Sequence, residues 1–253
     1  MRTLVEVVAR RGRGGCTELP VLRASGQLAV RRTGAASVHL VATAFGPLGG
    51  DDASIRLVVE EGATLCVGTV AAAVALPARE GDRPSVQRIT ATVAGSLTLA
   101  PEPTVVAAGA HHRAELTVEL APGGALTAAE QVQLGRAGEE PGRWTGTTRV
   151  ARGGRPLLHT TIGLGPGAPA WLPPVAPRAY CSTVRIGPEG DESAGSEPTS
   201  VATGNDAVRL PLDGGWSATA WGDQLHRLAH ALATVTAGPE RSAEHAAAVV
   251  AGG

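Results

Sequence analysis

The chain has 253 residues, of which 43% are apolar, and a formal net charge of −1. This balance does not indicate a surface for nucleic acid or an anionic membrane. One Phe, one Tyr, one Met and four Trp leave Ala, Val and Leu to fill the core, and such side chains suit closely packed sheets. No apolar run is long enough to span a bilayer. Three widely spaced cysteines do not form a disulfide framework, which fits a reducing cytoplasm.

Alternating apolar and polar residues predict a mainly β protein. SIRLVVE (54–60) and RAELTVEL (113–120) have apolar side chains at every second position, the pattern of a half-buried strand. Further strands are predicted at 3–9, 27–32, 37–43, 87–93, 145–151, 156–162 and 182–186. EGATLCVG, AGSLTLA and PGGALTAAE share a glycine, a small residue and a strand opening with Leu, about 30 residues apart. This repeat indicates either stacked coils or the ordinary hairpins of a sandwich.

The C-terminal third combines one helix with polar connections. Apolar residues from Leu225 to Val235 follow helical spacing. Much earlier in the chain, the Ala-rich stretch 69–76 permits a short helix or a strand. The segment GPEGDESAGSEPTS (187–200) predicts a mobile acidic loop. We therefore expect a single domain over residues 1–238, followed by a disordered tail at 239–253.

FGPLGGDD (45–52) is a glycine-rich turn with two acids. Its glycines, Gly46, Gly49 and Gly50, are expected to bend the chain into the strand 54–60. A phosphate-binding Walker loop is excluded because the chain contains no lysine. Two adjacent aspartates supply too few oxygens for a calcium cage. From these residues alone, the segment is interpreted as a structural corner.

Motifs for catalysis or tight metal binding are missing from the sequence. There is neither a G-x-S-x-G elbow nor a C-x-x-C zinc spacing. His226 and His230 have metal-binding spacing on the predicted helix, but Arg227 replaces the Glu of the zinc-protease motif. We interpret these two histidines as solvent-exposed helix residues, and His111 and His112 as turn residues.

The order of several weak motifs is more specific than any one of them. GPLGGD, EGATL, LAPEPTVVAAGA, APGGALTAAEQVQLGRAG and RGGRPLLH precede a C-terminal strand and helix, and this order resembles the UreD (UreH) family of urease accessory proteins from about Val5 to Val235. The segment AAAVAL (71–76) departs from the family because it lacks the usual lysine and aromatic residue. The residues that carry the resemblance are the turn motif Gly46, Pro47, Gly49 and Gly50 and the later positions Pro101, Pro103, Thr104 and Gly109.

The resemblance implies a fold and a function. The fold is a mainly all-β, solenoid-like stack of β-sheets with about two helices, one of them C-terminal. The function is that of a cytoplasmic, non-enzymatic scaffold that binds apo-urease and the UreF–UreG complex and passes nickel to the urease active site. No cofactor is tightly bound, and nickel is in transit. The acidic residues of the family's passage match Asp51 and Glu130. Isolated carboxylates suit this task, because they bind a dication weakly enough to release it.

Two other classes of function stay open at this stage. A β-rich binding module for a protein or glycan, with no metal role, would present a stripe of exposed aromatic residues, which are scarce here. A hydrolase would use Asp51 and Glu130 as an acid–base pair, although the sequence identifies no substrate pocket.

Overall fold

A computed structural model of the chain describes residues 1–169, 176–190, 200–202 and 207–236. Most of the predicted acidic loop and all of the predicted tail lie outside the described residues. The strands, in chain order, are β1 (Arg2–Arg11), β2 (Thr17–Ser25), β3 (Leu28–Arg32), β4 (Ser37–Ala42), β5 (Asp52–Val59), β6 (Thr64–Thr69), β7 (Ala73–Ala75), β8 (Ser85–Val93), β9 (Ser96–Ala100), β10 (Thr104–Val106), β11 (His111–Leu120), β12 (Ala125–Leu134), β13 (Arg143–Arg152), β14 (Arg155–Leu164), β15 (Ala179–Ile186), β16 (Ser200–Ala202), β17 (Ala207–Leu212) and β18 (Gly215–Gly222).

Within the described residues, these strands form two sheets. The seven-stranded sheet has the order β14-β13-β11-β8-β5-β1-β2. The eleven-stranded sheet has the order β16-β17-β18-β15-β12-β9-β6-β4-β3, with β10 pairing β12 and β7 pairing β10. Between β4 and β13 the chain passes back and forth between the sheets, and each long strand pairs in parallel with its predecessor in the same sheet. The mainly all-β prediction is confirmed, while the solenoid-like stack stays a prediction that this alternation supports.

The repeat seen in the sequence corresponds to neighbouring turns and strands of the eleven-stranded sheet. The opening leucines Leu65, Leu97 and Leu126 of β6, β9 and β12 are in register. All three are almost completely buried. The preceding turns are packed so closely that a Cβ at Gly95 or Gly124 would lie 2.1 or 2.3 Å from a backbone oxygen of the adjacent turn. Glycine is therefore required there by close approach of the backbone.

The described part of the chain contains one α-helix, α1 (Leu225–Thr236), and a short 3-10 turn at Arg13–Gly15. The helix was predicted from its spacing, and Leu228, Ala231 and Val235 bury its apolar stripe against the outer face of β15 and β18. Within the ambiguous Ala-rich stretch 69–76, residues Ala73–Ala75 form strand β7. No helix among the described residues is long and apolar enough to cross a membrane.

The space between the two sheets holds two separate apolar clusters. The larger cluster joins Leu65, Leu97 and Leu126, here called the leucine row, to β1, β5 and the C-terminal ends of β8 and β11. The smaller cluster is built around Val132, Leu134, Trp144 and Tyr180. The eleven-stranded sheet is interrupted between them, because β6 and β9 end before β7 and β10 begin. Strand β12 runs past this interruption, pairing with β9 as far as Ala128 and with β10 from Val132.

Candidate functional site

The turn before β5 places Asp51 at the N-terminal end of this interior strand of the seven-stranded sheet. Gly46 has φ 142° and Gly50 has φ 89°, and both values favour glycine. The peptide bond after Gly46 is cis. Gly49 does not have a positive φ, but a Cβ there would lie 2.5 Å from two backbone atoms of the facing loop 78–83. Backbone conformation and close packing together fix the turn, and hence the position of Asp51.

The carboxylate of Asp51 is fully engaged by neighbouring donors. Oδ1 accepts a hydrogen bond from the amino group of Met1, and Oδ2 accepts bonds from Gln27 Nε2 and the backbone N–H of Leu48, both at 2.9 Å. Burial raises the pKa of Asp51, but the bonds from Met1, Leu48 and Gln27 outweigh it, so that the net pKa is lowered. Both oxygens stabilise the turn, and a cation at Asp51 would have to displace one of these donors.

In contrast to Asp51, Glu130 has a carboxylate that no described residue engages. Glu130 lies on β12 between Ala128 and Val132, both buried between the sheets, so alternation directs its side chain inward. Ser182 of β15 is its neighbour in register, and the sheet interruption lies on its other side. Within the described residues no hydrogen bond or ion pair engages the carboxylate, and burial alone raises the pKa of Glu130 to about 7.

The seven-stranded sheet contributes an aromatic residue and a glycine opposite Glu130. A Cβ at Gly146 would lie 2.3 Å from the Trp144 ring and 3.2 Å from Glu130 Oε2. The Trp144 ring packs against Tyr180 of the other sheet, with centroids 5.3 Å apart and a 38° tilt. Burial raises the pKa of Tyr180, and the nearby charge of Glu130 raises it further. The Glu130 carboxylate therefore reaches across to the point where the two sheets approach each other.

A band of partly accessible side chains crosses the space between the two sheets beside Glu130. On the central strands β8 and β11, the inward-facing Gln87, Ile89, Ala114 and Leu116 are half-buried, although the inward-facing residues on both sides of them are buried. Accessible surface thus reappears in the middle of an interior face, between the two apolar clusters. We call this band the seam; its residues are Gln87, Ile89, Ala114, Leu116, Glu130, Thr148 and Ser182.

Asp51 and Glu130 are too far apart to hold one ion. Asp51 precedes β5, whereas Glu130 faces Gly146 on β13, three strand spacings along the same sheet. At roughly 4.8 Å per spacing, the separation along the sheet is about 14 Å. Among the residues that the structure describes, no group of three or more His, Cys, Asp or Glu side chains could hold a metal ion. The arrangement offers separate oxygen ligands, which suit weak binding of a hydrated dication.

The four histidines at positions 111, 112, 226 and 230 form one buried and one exposed pair. His111 and His112 open β11, so their interpretation as turn residues was wrong. His112 Nδ1 lies 2.9 Å from Ser85 Oγ, and burial lowers the pKa of His112 to about 4, which keeps the ring neutral. His226 and His230 are exposed on α1, as predicted.

The remaining family positions mark the interruption of the eleven-stranded sheet. Pro101 and Pro103 lie between β9 and β10, outside the paired strands, so the N–H group that proline lacks is not required for a strand-pairing hydrogen bond. Thr104 begins β10, and Gly109, with φ 70°, lies in the turn that leads to β11. These residues surround the gap beside Glu130 without carrying chemistry themselves.

Sequence reasoning missed Trp144 and Gly146. The strand that contains them was predicted to begin at residue 145, one position too late to include the tryptophan. With the observed start at Arg143, alternation places Trp144, Gly146 and Thr148 on one face. That pattern, a large side chain followed by a glycine and a threonine on an inward face, was the available signal.

Comparisons with known proteins identify relatives along almost the whole chain. The family profile described as UreD urease accessory protein matches residues 3–237. The urease accessory protein UreD of Streptomyces avermitilis is 38% identical over 213 residues, covering 80% of this chain and 82% of that protein. The UreD protein of Frankia alni is 35% identical, with 93% of both chains covered. The UreD protein of Streptomyces coelicolor is 44% identical over 176 residues, covering 67% of this chain and 68% of its own length.

Proposed function

The chain belongs to the UreD family of urease accessory proteins, and we propose that it acts in urease maturation as a non-catalytic scaffold through which nickel ions reach the urease active site. The proposed partners are apo-urease and accessory proteins of the UreF and UreG types. The relatives' names support the role in urease maturation, whereas the nickel passage is argued from the seam.

The carboxylate of Glu130, which no described residue engages in a hydrogen bond or ion pair, carries the proposal. A buried carboxylate without a hydrogen bond or counter-ion is costly, and proteins rarely keep one without a functional reason. Glu130 lies in accessible space between two apolar clusters, so a hydrated ion can approach it from inside the protein. A passing dication would supply the charge that the protein does not.

The composition of the seam also favours transit over storage. Its other members contribute hydroxyl, amide and apolar groups, and one carboxylate leaves most of the coordination shell of a divalent ion to water. Such an ion is bound weakly and can leave. Asp51 stays a predicted second station, and its engaged oxygens imply that an ion there competes with Gln27 or the Met1 amino group.

Co-expression with urease and its other accessory proteins tests the proposal. Purified urease is assayed for nickel content and activity with wild-type protein, Glu130→Gln, Asp51→Asn and the control Glu61→Gln, which alters an exposed turn acid. We expect Glu130→Gln to assemble with its partners but to leave urease poor in nickel, and Glu61→Gln to behave as wild type. Full nickel loading with Glu130→Gln would overturn the passage through Glu130.

A further inference from the structure

Two polar groups that no described residue engages in a hydrogen bond lie next to each other: the buried indole N–H of Trp144 and the carboxylate of the half-buried Glu130. Trp144 is 1% exposed, and its indole Nε1, which can only donate, has no partner among the described residues. The Glu130 carboxylate, an acceptor when ionised, also has none. Unpaired buried groups of this kind are uncommon in native proteins and require an explanation.

Trp144 needs an acceptor for its indole N–H. Its Nε1 is buried, so bulk solvent does not supply that acceptor. The ring edge and Glu130 Oε2 both lie beside Gly146, at 2.3 and 3.2 Å from the position of a Cβ there. The ring is held by Tyr180, whereas Glu130 has a flexible side chain beside accessible space. A change in the Glu130 torsions is therefore the smallest movement that pairs the two groups.

We propose that the indole N–H of Trp144 is the resting hydrogen-bond partner of Glu130, and that a divalent cation in the seam competes with it for the carboxylate. In the resting state the N–H donates to one carboxylate oxygen. An arriving ion draws the carboxylate away from the ring, into the conformation that leaves Nε1 without a partner. When the ion leaves, the bond forms again.

This competition explains how a buried carboxylate can bind a dication and still release it. The ion has to replace a charge-assisted hydrogen bond, which lowers its affinity and favours its departure. The inference rests on the proposed function for the identity of the competing ion, while the hydrogen bond itself can be tested without any ion.

Nickel affinity gives the first test. The full-length protein is titrated with Ni²⁺ by calorimetry as wild type, Trp144→Phe, Glu130→Met and the double variant, with Trp221→Phe as a control at a half-exposed tryptophan. Because loss of a charge-assisted bond removes the competitor, we expect Trp144→Phe to bind Ni²⁺ about 10-fold more tightly. This gain should vanish in the Glu130→Met background, where no carboxylate remains.

The outcomes separate the inference from the proposed function. Unchanged or weaker Ni²⁺ binding by Trp144→Phe overturns the competition, because a purely structural tryptophan would not tighten binding when removed. Equal Ni²⁺ binding by wild type and Glu130→Met contradicts the proposed passage instead, and the hydrogen bond is then decided by the second test.

The second test observes the indole proton directly. The full-length protein is labelled with ¹⁵N-tryptophan, and the Trp144 indole signal is identified from its loss in Trp144→Phe or, if that variant does not fold, in Trp144→Tyr. A hydrogen bond to a carboxylate shifts the proton downfield, so the signal should move upfield in Glu130→Met while the Trp221 signal stays in place. An unmoved Trp144 signal means that Glu130 is not its partner and overturns the inference.

Discussion

Replacing Glu130 by Gln should stabilise the metal-free protein at alkaline pH. In the folded protein burial raises the pKa of Glu130 from 4.5 to about 7. Between these values the folded state binds more protons than the unfolded state, so the free energy of unfolding falls as the pH rises through this window. Below it Glu130 is neutral in both states and costs nothing, and above it the full cost is present.

The magnitude follows from the shift. One pKa unit corresponds to about 1.4 kcal/mol, so the ionised carboxylate costs about 3 kcal/mol above pH 7, and about 2–3 kcal/mol of this cost develops between pH 5 and pH 8. Glutamine has nearly the same shape and does not ionise. With the carboxylate unpaired, the difference in unfolding free energy between Glu130→Gln and wild type should therefore grow by this amount over the same interval, and it should grow by less where the Trp144 N–H donates to the carboxylate.

Urea unfolding followed by far-UV circular dichroism, in the presence of a chelator, measures this difference at pH 5, 6, 7 and 8. Glu61→Gln serves as the matched control, because Glu61 is exposed, and its difference from wild type should not depend on pH. A constant difference for Glu130→Gln across the series would show that Glu130 has an ordinary pKa, and the predicted gain in stability at alkaline pH would then be wrong.

Three further predictions concern the turn and the ladder that position the site. Gly49→Ala should destabilise the fold by about 1–3 kcal/mol, because its Cβ would meet backbone atoms at 2.5 Å. Urea unfolding measures this loss, with Gly123→Ala as the control because a Cβ at Gly123 has room. Equal stability of the two variants would contradict the prediction. Asp51→Asn should reduce the loss of stability on acidification. Folding lowers the pKa of Asp51, so the stability that its ionised carboxylate contributes disappears as the pH falls below about 4. If the free energy of unfolding falls as steeply below about pH 4 in Asp51→Asn as in wild type, the lowered pKa is refuted. Leu126→Ala should cost about 2–5 kcal/mol in urea unfolding because it opens a cavity in the leucine row, and a loss well under 1 kcal/mol would mean that the row is not packed as described.

Every strand predicted from alternation is present, but the pairing of the strands was not predictable from it. Parallel sheets are usually covered on both faces, and their strands then read as continuous apolar runs. Here the outer face of the seven-stranded sheet carries ion pairs such as Arg56–Glu6, 2.7 Å apart across β5 and β1. Parallel strands with one charged face show the same alternation of apolar and polar residues as antiparallel strands. The glycine–leucine repeat therefore fitted stacked coils as well as the hairpins of a sandwich.

The missed elements and the missed site residues have different causes. Strand β2 contains Pro20 and lies at a sheet edge with little buried surface, so its apolar alternation is weak. Glu130 was identified only through the family resemblance, because its lack of a partner depends on the interruption of a sheet whose neighbouring strands are distant in sequence. The role of Trp144 follows from its contact with Gly146 and with the opposite sheet, and the sequence alone shows neither contact.

The leucine row also restricts where the chain can change in length. Leu65, Leu97 and Leu126 are aligned across neighbouring strands, so the short turn 121–124 sets which residues of β12 face inward. Deleting one residue there, with β12 drawn back by one position against β9, would exchange the two faces, directing Glu130 toward α1 and its neighbour Gln131 into the seam. The exposed loop tips 79–82 and 136–138 lie outside the ladders and can gain or lose residues without this exchange, so natural variation in length should concentrate in them.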